Sequence, residues 1–317
     1  MANVMKKPSV KMVCGFPASG KSSITKNYVA EGGVSLNRDT EGGSVIDLLP
    51  KMEKLLKDGK TIVLDNLFAT AESRKPFIDA AKAAGVEVHC KVMGTSIEDS
   101  SFNAVQRMID ILGHFPTQEE IKKAKHPNIF PIAVLFKYKK EYQKPTKEEG
   151  FDSVEVVKFK RRENPAFTNK ALILDYDGTL RECIGGNEKF PVSEEQIEIK
   201  PKRTEIIQAY KDKGYLILGA SNQSGIAKGE LTFEKCQQLF AHTNKLLGHD
   251  IEVSFCPHQS APPVCYCRKP QVGMFVDFIN RHELDRKQCI FVGDYTTDKT
   301  AAARVGMQYV DQAEFFK

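Results

Sequence analysis

The sequence predicts an α/β protein built as two doubly wound parallel-sheet domains. Three observations predict it. Short β-branched apolar runs alternate with longer amphipathic stretches, the signature of strands joined by crossover helices. A charged, proline-containing break (KRRENPAFTNK) interrupts the alternation, which then restarts. A length of 317 residues is about right for two domains of ordinary size. The expected domains are 1–160 and 170–317, with a linker over 161–169.

In the first half, strands are expected at 10–14, 61–65, 86–93 and 153–159, and helices over 21–31, 45–58, 71–84 and 97–113. In the second half, strands are expected at 171–176, 215–221, 252–256 and 289–294, with helical segments between them. There is no internal repeat and no low-complexity tract. A composition of 41% hydrophobic and 27% charged residues is that of a globular chain, not a disordered one. No apolar stretch approaches the ~18 residues of a membrane span, and the opening residues lack the apolar run of a signal peptide. Cys14, Cys90, Cys183, Cys236 and Cys289 are scattered through apolar or mixed segments, as reduced thiols are. The expectation is an intracellular protein, cytoplasmic or nuclear, with no membrane contact.

The net charge is +5 and unevenly spread. Between Ile121 and Lys147 there are eight lysines and one acid, Glu141, and KFKRR follows at 158–162. Such a run is either a solvated helical face or a surface for a polyanion.

GFPASGKSS at 15–23 fits G-x-x-x-x-G-K-S and lies between an expected strand and an expected helix. Its glycines let backbone N–H groups curl around phosphates, and the helix N-terminus adds positive field. Gly15, Ser19, Gly20, Lys21, Ser22 and Ser23 are the candidate ATP-binding residues. Lys21 can reach the β- and γ-phosphates, and Ser22 can ligate Mg²⁺. SLNRDT then places Asp39 seventeen residues after Ser22. There a carboxylate can take the proton of an attacking hydroxyl. Together with TIVLDN and AAGVEVHCKV, these segments resemble the kinase domain of polynucleotide kinase-phosphatases over roughly residues 9–159. The resemblance implies that Asp39 activates a polynucleotide 5′-OH and that Asp65 is a second acid at the Mg²⁺. It also implies that Arg107, on a lid helix, clamps the transferring phosphate, and it points to Arg38 and Arg74 as substrate-binding residues.

In the second half, LILDYDGTL ends an apolar strand with two acids. Asp175 can attack phosphorus, and Asp177, two residues on, can shuttle the leaving-group proton. Ser221 offers a hydroxyl to the phosphate oxygens, Lys269 a point charge, and Asp294 a metal ligand with Asp298 nearby. In this order, each after an apolar run, they resemble the haloacid dehalogenase superfamily of phosphatases. The resemblance implies that Asp175 is the nucleophile and Asp177 the acid/base. Mg²⁺ would be held by Asp175, the Asp177 carbonyl and Asp294, with Asp298 supporting that shell and Asn222 facing substrate.

CPHQSAPPVCYCRKP contains Cys256, His258, Cys265 and Cys267 in the spacing C-x-H-x6-C-x-C. Four protein ligands suit a closed tetrahedral Zn²⁺, structural because no position remains for substrate water. The loop resembles the zinc loop of histidinol-phosphate and heptose-bisphosphate phosphatases. The reading that unites both halves is a bifunctional end-healing enzyme. ATP phosphorylates a 5′-OH, a 3′-phosphate is hydrolysed through an aspartyl-phosphate, and the DNA or RNA ends suit a ligase. The competing readings are a small-metabolite kinase fused to a sugar or histidinol phosphatase, and a non-catalytic nucleotide-dependent scaffold.

Overall fold

The computed structural model describes residues 7–185, 190–262 and 264–317. It divides into two compact units, Met1–Ala104 with Lys125–Arg161, and Val105–Ala124 with Arg162–Lys317.

In the first unit, β1 (Ser9–Cys14), β2 (Val34–Leu36), β3 (Ile62–Asp65), β4 (Glu87–Met93) and β5 (Ser153–Val157) pair in parallel, in the order β2-β3-β1-β4-β5. β3 is buried along its whole length and β1 at all but Lys11, so both read as nearly continuous apolar runs. The connecting helices are α1 (Lys21–Ala30), α2 (Arg38–Glu41), α3 (Leu49–Lys57), α4 (Ala71–Ala83) and the start of α5 (Ile97–Leu112). α6 (Gln118–Lys123) falls in the second unit, and α7 (Ala133–Glu141) returns to the first. The core sets Val10, Met12 and Leu64 of the sheet against Met52 and Leu56 of α3 and Phe77 of α4. The helix expected over 45–58 opens instead with a 3₁₀ turn, Ile46–Leu48, because Pro50 at the start of α3 has no N–H to continue an earlier turn. β5 stops two residues short of the expected 159.

In the second unit, β6 (Ala171–Leu174), β9 (Leu216–Asn222), β10 (Glu252–Cys256), β11 (Ile290–Gly293) and β12 (Gln308–Asp311) form another parallel sheet, in the order β10-β9-β6-β11-β12. A short antiparallel pair, β7 (Arg181–Cys183) and β8 (Ile197–Ile199), was not expected. Its strands are three residues long, too short to show a period. The helices are α8 (Arg203–Asp212), α9 (Ser224–Ala227), α10 (Phe233–Leu247), α11 (Gly273–Arg281), α12 (Thr296–Val305) and α13 (Gln312–Phe315). α10 shows why such boundaries are legible. The Thr232 hydroxyl accepts the Lys235 N–H at its start, and Gly248, at φ 69°, ends it. Chain order reverses about β6, so the residues after β6 and β11 flank a switch point, where doubly wound sheets bind ligands.

Candidate active sites

The first site lies beyond the carboxyl ends of β1, β2 and β3. Gly15, at φ 153°, opens the loop after β1, and a Cβ there would come within 2.7 Å of the Met93 side chain. Lys21 is buried and donates to the carbonyls of Gly15 (3.0 Å) and Phe16 (2.8 Å). The Ser19 hydroxyl is buried with no hydrogen-bond partner among the described residues. An orphaned hydroxyl and a lysine folded back on loop carbonyls suit an anion held there. Ser22 and Ser23 are exposed at the start of α1.

Asp65 ends β3 and accepts the Thr25 hydroxyl of α1 at 2.9 Å. Its own carbonyl accepts from Asn37 (2.6 Å), whose side-chain oxygen caps α2 by accepting the Asp39 N–H at 2.7 Å. Asn66 completes the clamp, accepting the Arg38 N–H (2.9 Å) and donating to the Leu36 carbonyl (3.2 Å). The exposed carboxylate of Asp39, paired with Arg38 at 3.0 Å, is therefore fixed to the same strand end as Asp65. Asn37 and Asn66 escaped the sequence reading because their partners lie 28 to 30 residues away.

Arg74 is a correction. It is fully buried, binds Glu149 through two 2.7 Å bonds and donates to the Phe68 carbonyl at 3.0 Å. It holds the fold and offers no surface to a substrate. Arg107 is half-buried on α5, in the stretch assigned to the second unit.

The second site surrounds the end of β6. The Asp175 N–H donates to Val292 of β11 at 2.9 Å, which places its carboxylate just past the sheet. Buried Lys269 reaches Asp175 at 2.5 Å, Asp298 at 2.8 Å and the Ala220 carbonyl at 2.8 Å. Burial pushes the Asp175 carboxyl up to about 7; Lys269 opposes the shift and Asp298 adds to it. Burial also works against the charge of Lys269, but Asp175 and Asp298 outweigh it and raise its pKa. Burial, with Asp298 next, raises Asp294 as well.

The carboxylates of Asp175, Asp294 and Asp298 lie within 4.8 Å of one another. Three acids around one lysine suit a divalent cation with oxygen ligands. Asp298, expected only to support that shell, stands inside the cluster. Gly178 makes room: at φ 84°, a Cβ would sit 2.1 Å from an Asp294 oxygen. The Asp177 carboxylate stands apart, one oxygen accepting from Arg181 (2.8 Å) and the other from Gln223 (2.7 Å). Gln223 also donates to the buried Ser221 hydroxyl at 2.9 Å. Arg181 and Gln223 went unnoticed in the sequence. The Asn222 amide binds the Lys269 main chain at both ends (2.9 and 3.1 Å) and so positions the lysine, and its side chain also lines the cleft around Asp175.

Cys256, His258, Cys265 and Cys267 converge beside this cleft. The Cys256 sulfur is 3.4 Å from His258 Nδ1 and 3.6 Å from the Cys265 sulfur, and Nδ1 is 3.2 Å from the Cys267 sulfur. These separations far exceed the ~2.05 Å of a disulfide. They approach the ~3.7 Å edges of a tetrahedron with ~2.3 Å metal–sulfur bonds. The donor set therefore fits Zn²⁺.

The model of the family described as Polynucleotide kinase 3 phosphatase matches residues 170–316. A probable D-glycero-D-manno-heptose-1,7-bisphosphate 7-phosphatase of Thermoplasma volcanium is 32% identical over 130 residues, 39% of this chain and 85% of that protein. A bifunctional polynucleotide phosphatase/kinase of Schizosaccharomyces pombe is 32% identical over 152 residues, 48% of this chain and 34% of that protein. A chain in the structure of the Pnkp1/Rnl/Hen1 RNA repair complex aligns over 98% of both chains, at 14% identity and a TM-score of 0.31.

Proposed function

We propose that this chain, whose residues 170–316 match the model of the family described as Polynucleotide kinase 3 phosphatase, is a bifunctional enzyme that heals nucleic-acid ends. The observation that carries the proposal is two clusters of charged side chains on one chain, around Lys21 and around Asp175 with Lys269, each at the carboxyl edge of its own parallel sheet. The first domain, 1–160, is a P-loop kinase that takes ATP in the loop Gly15–Ser23. Asp39 accepts the proton of a 5′-OH, the freed oxygen attacks the γ-phosphorus, and ADP leaves. Lys21 neutralises the phosphates, and Arg107 is the clamp that the sequence resemblance implies.

The second domain, 170–317, hydrolyses a 3′-phosphate. The Asp175 carboxylate attacks phosphorus, the bond to the 3′-oxygen breaks, and Asp177 gives that oxygen its proton. Asp177 then takes a proton from water, whose oxygen attacks the phospho-aspartate and releases phosphate and Asp175. Ser221 and Lys269 hold the phosphoryl oxygens. Asp175, Asp294 and the Asp177 carbonyl would hold Mg²⁺, which would offset the charge of the carboxylates and the phosphate; Ser22 and Asp65 would do so in the kinase. The cysteine–histidine cluster would hold a structural Zn²⁺ that pins the loop before Lys269. The products, a 5′-phosphate and a 3′-OH, are the ends a ligase joins, so a ligase is the expected partner. None of the eight cysteines is in a disulfide among the described residues, which supports a reducing, intracellular setting.

The full-length protein, ATP and Mg²⁺ are to be incubated with 5′-OH and 3′-phosphate oligonucleotides. Lys21→Ala should abolish only phosphorylation and Asp175→Asn only dephosphorylation. Wild-type protein that alters neither end would refute the proposal. The 32% identity to a heptose-bisphosphate phosphatase supports a second reading, in which residues 170–316 act on a sugar phosphate. Faster turnover of heptose bisphosphate than of 3′-phosphate ends would favour it.

A further inference from the structure

Above the acids of the second unit lies a cleft of about 460 Å³. Asp175, Ser221 and Lys269 form its floor. Gln259 and Ser260, exposed between His258 and Cys265, line one part of its wall, and Tyr295 lines another. Among the described residues Tyr295 is the most exposed of the large hydrophobic side chains, at 65%. Its backbone is nevertheless fixed. The Tyr295 N–H donates to Asp298 (3.1 Å), its carbonyl accepts the Asp298 N–H (2.9 Å), and it follows Asp294 directly. A rigid main chain thus presents an unpacked aromatic ring one residue from the candidate metal ligand. No aromatic side chain stacks on that ring among the described residues.

We propose that Tyr295 is the stacking platform for the nucleobase of the nucleotide that carries the 3′-phosphate. The inference rests on the function proposed above and adds a specificity residue to it. A phosphate held at the floor by Lys269 and Ser221 directs its 3′-oxygen, ribose and base outward, towards the rim. A flat hydrophobic ring there gains from any base, because every base has a π-face, so it selects nucleotides without selecting sequence. A heptose has no π-face of its own and offers such a ring only its C–H edges, so it gains less than a base does. The ring therefore distinguishes a polynucleotide end from a sugar phosphate where the catalytic acids cannot.

The test uses full-length protein with two 3′-phosphorylated oligonucleotides, identical except that one ends in an abasic residue. Tyr295→Ala should raise KM on the base-bearing end about 5- to 150-fold, the equivalent of ~1–3 kcal/mol of stacking. On the abasic end the same substitution should change KM far less, and Tyr295→Phe should keep the wild-type preference for the base. Equal effects of Tyr295→Ala on the two ends, or none on either, would overturn the platform while leaving the 3′-phosphatase reading intact. Wild-type protein that hydrolyses neither oligonucleotide would defeat both.

Discussion

Asp175 shows how one residue's environment sets its behaviour. Burial lifts its carboxyl from 3.8 to about 7 although Lys269 sits 2.5 Å away. The folded chain therefore keeps a proton there that the unfolded chain has already released. That contribution to stability is full below the unfolded value and is lost as pH rises through about 7. A divalent cation favours the ionised form and competes with the proton. Mg²⁺ should consequently raise Tm more at pH 8 than at pH 5.5, as melts with and without the ion would record. A larger Mg²⁺ shift at the lower pH would contradict this account. Arg74 makes the opposite case, a charge whose only work is structural. Its bidentate pair with Glu149 is buried on the arginine side, and removing one partner of such a pair costs about 3–5 kcal/mol. Arg74→Ala should lower the stability of the first unit by that amount in a urea titration. A stable Arg74→Ala protein with a raised KM for the 5′-OH strand would instead restore the substrate-binding role.

At the scale of elements, what the sequence disclosed followed its periods and caps. The strands at 62–65, 87–93 and 252–256 and the helices at 71–83 and 97–112 lie within two residues of expectation, because apolar runs and capping residues are local signals. The acids after β3, β6 and β11 were legible for the same reason: each follows an apolar run. What stayed hidden depends on contacts across the fold. Arg181 binding Asp177 and Asn66 tying β2 to β3 carry no periodic mark, and the buried pair of Arg74 with Glu149 forms only when the fold brings residues 75 positions apart together. The loop between β10 and α11 combines both kinds of signal. Its ligand spacing is visible in one dimension, and its consequence, a fixed route to Lys269, only in three. Purified protein should carry about one equivalent of Zn²⁺ by atomic absorption. Cys265→Ser should lose the metal and the phosphatase activity together, with 5′-phosphorylation preserved. A folded, phosphatase-active protein without zinc would remove the structural role.

Across the whole molecule, charge is the property that single elements do not reveal. Lys51, Lys75 and Lys82 each pair with a carboxylate. Lys137, Lys139, Lys140, Lys144 and Lys147 are exposed and make no ion pair among the described residues, although the chain has 41 acidic residues to offer. This segment also borders the first site. Tyr138 and Tyr142 pack against Phe16 of the glycine-rich loop, with ring centroids 4.9 and 6.1 Å away, and the Gln143 N–H donates to Ala69 at 2.7 Å. Unpaired lysines beside the proposed kinase site suit the phosphates of an acceptor strand better than they suit a merely solvated face. If those phosphates are neutralised here, the logarithm of oligonucleotide affinity falls with the logarithm of salt concentration, by ~0.7 per contact on a single strand. Replacing Lys137, Lys140 and Lys144 together with alanine should therefore reduce the slope by about 2 and weaken binding equally for unrelated sequences. Fluorescence anisotropy of a labelled 5′-OH strand across a salt series measures both. An unchanged slope would return this segment to an ordinary solvated face.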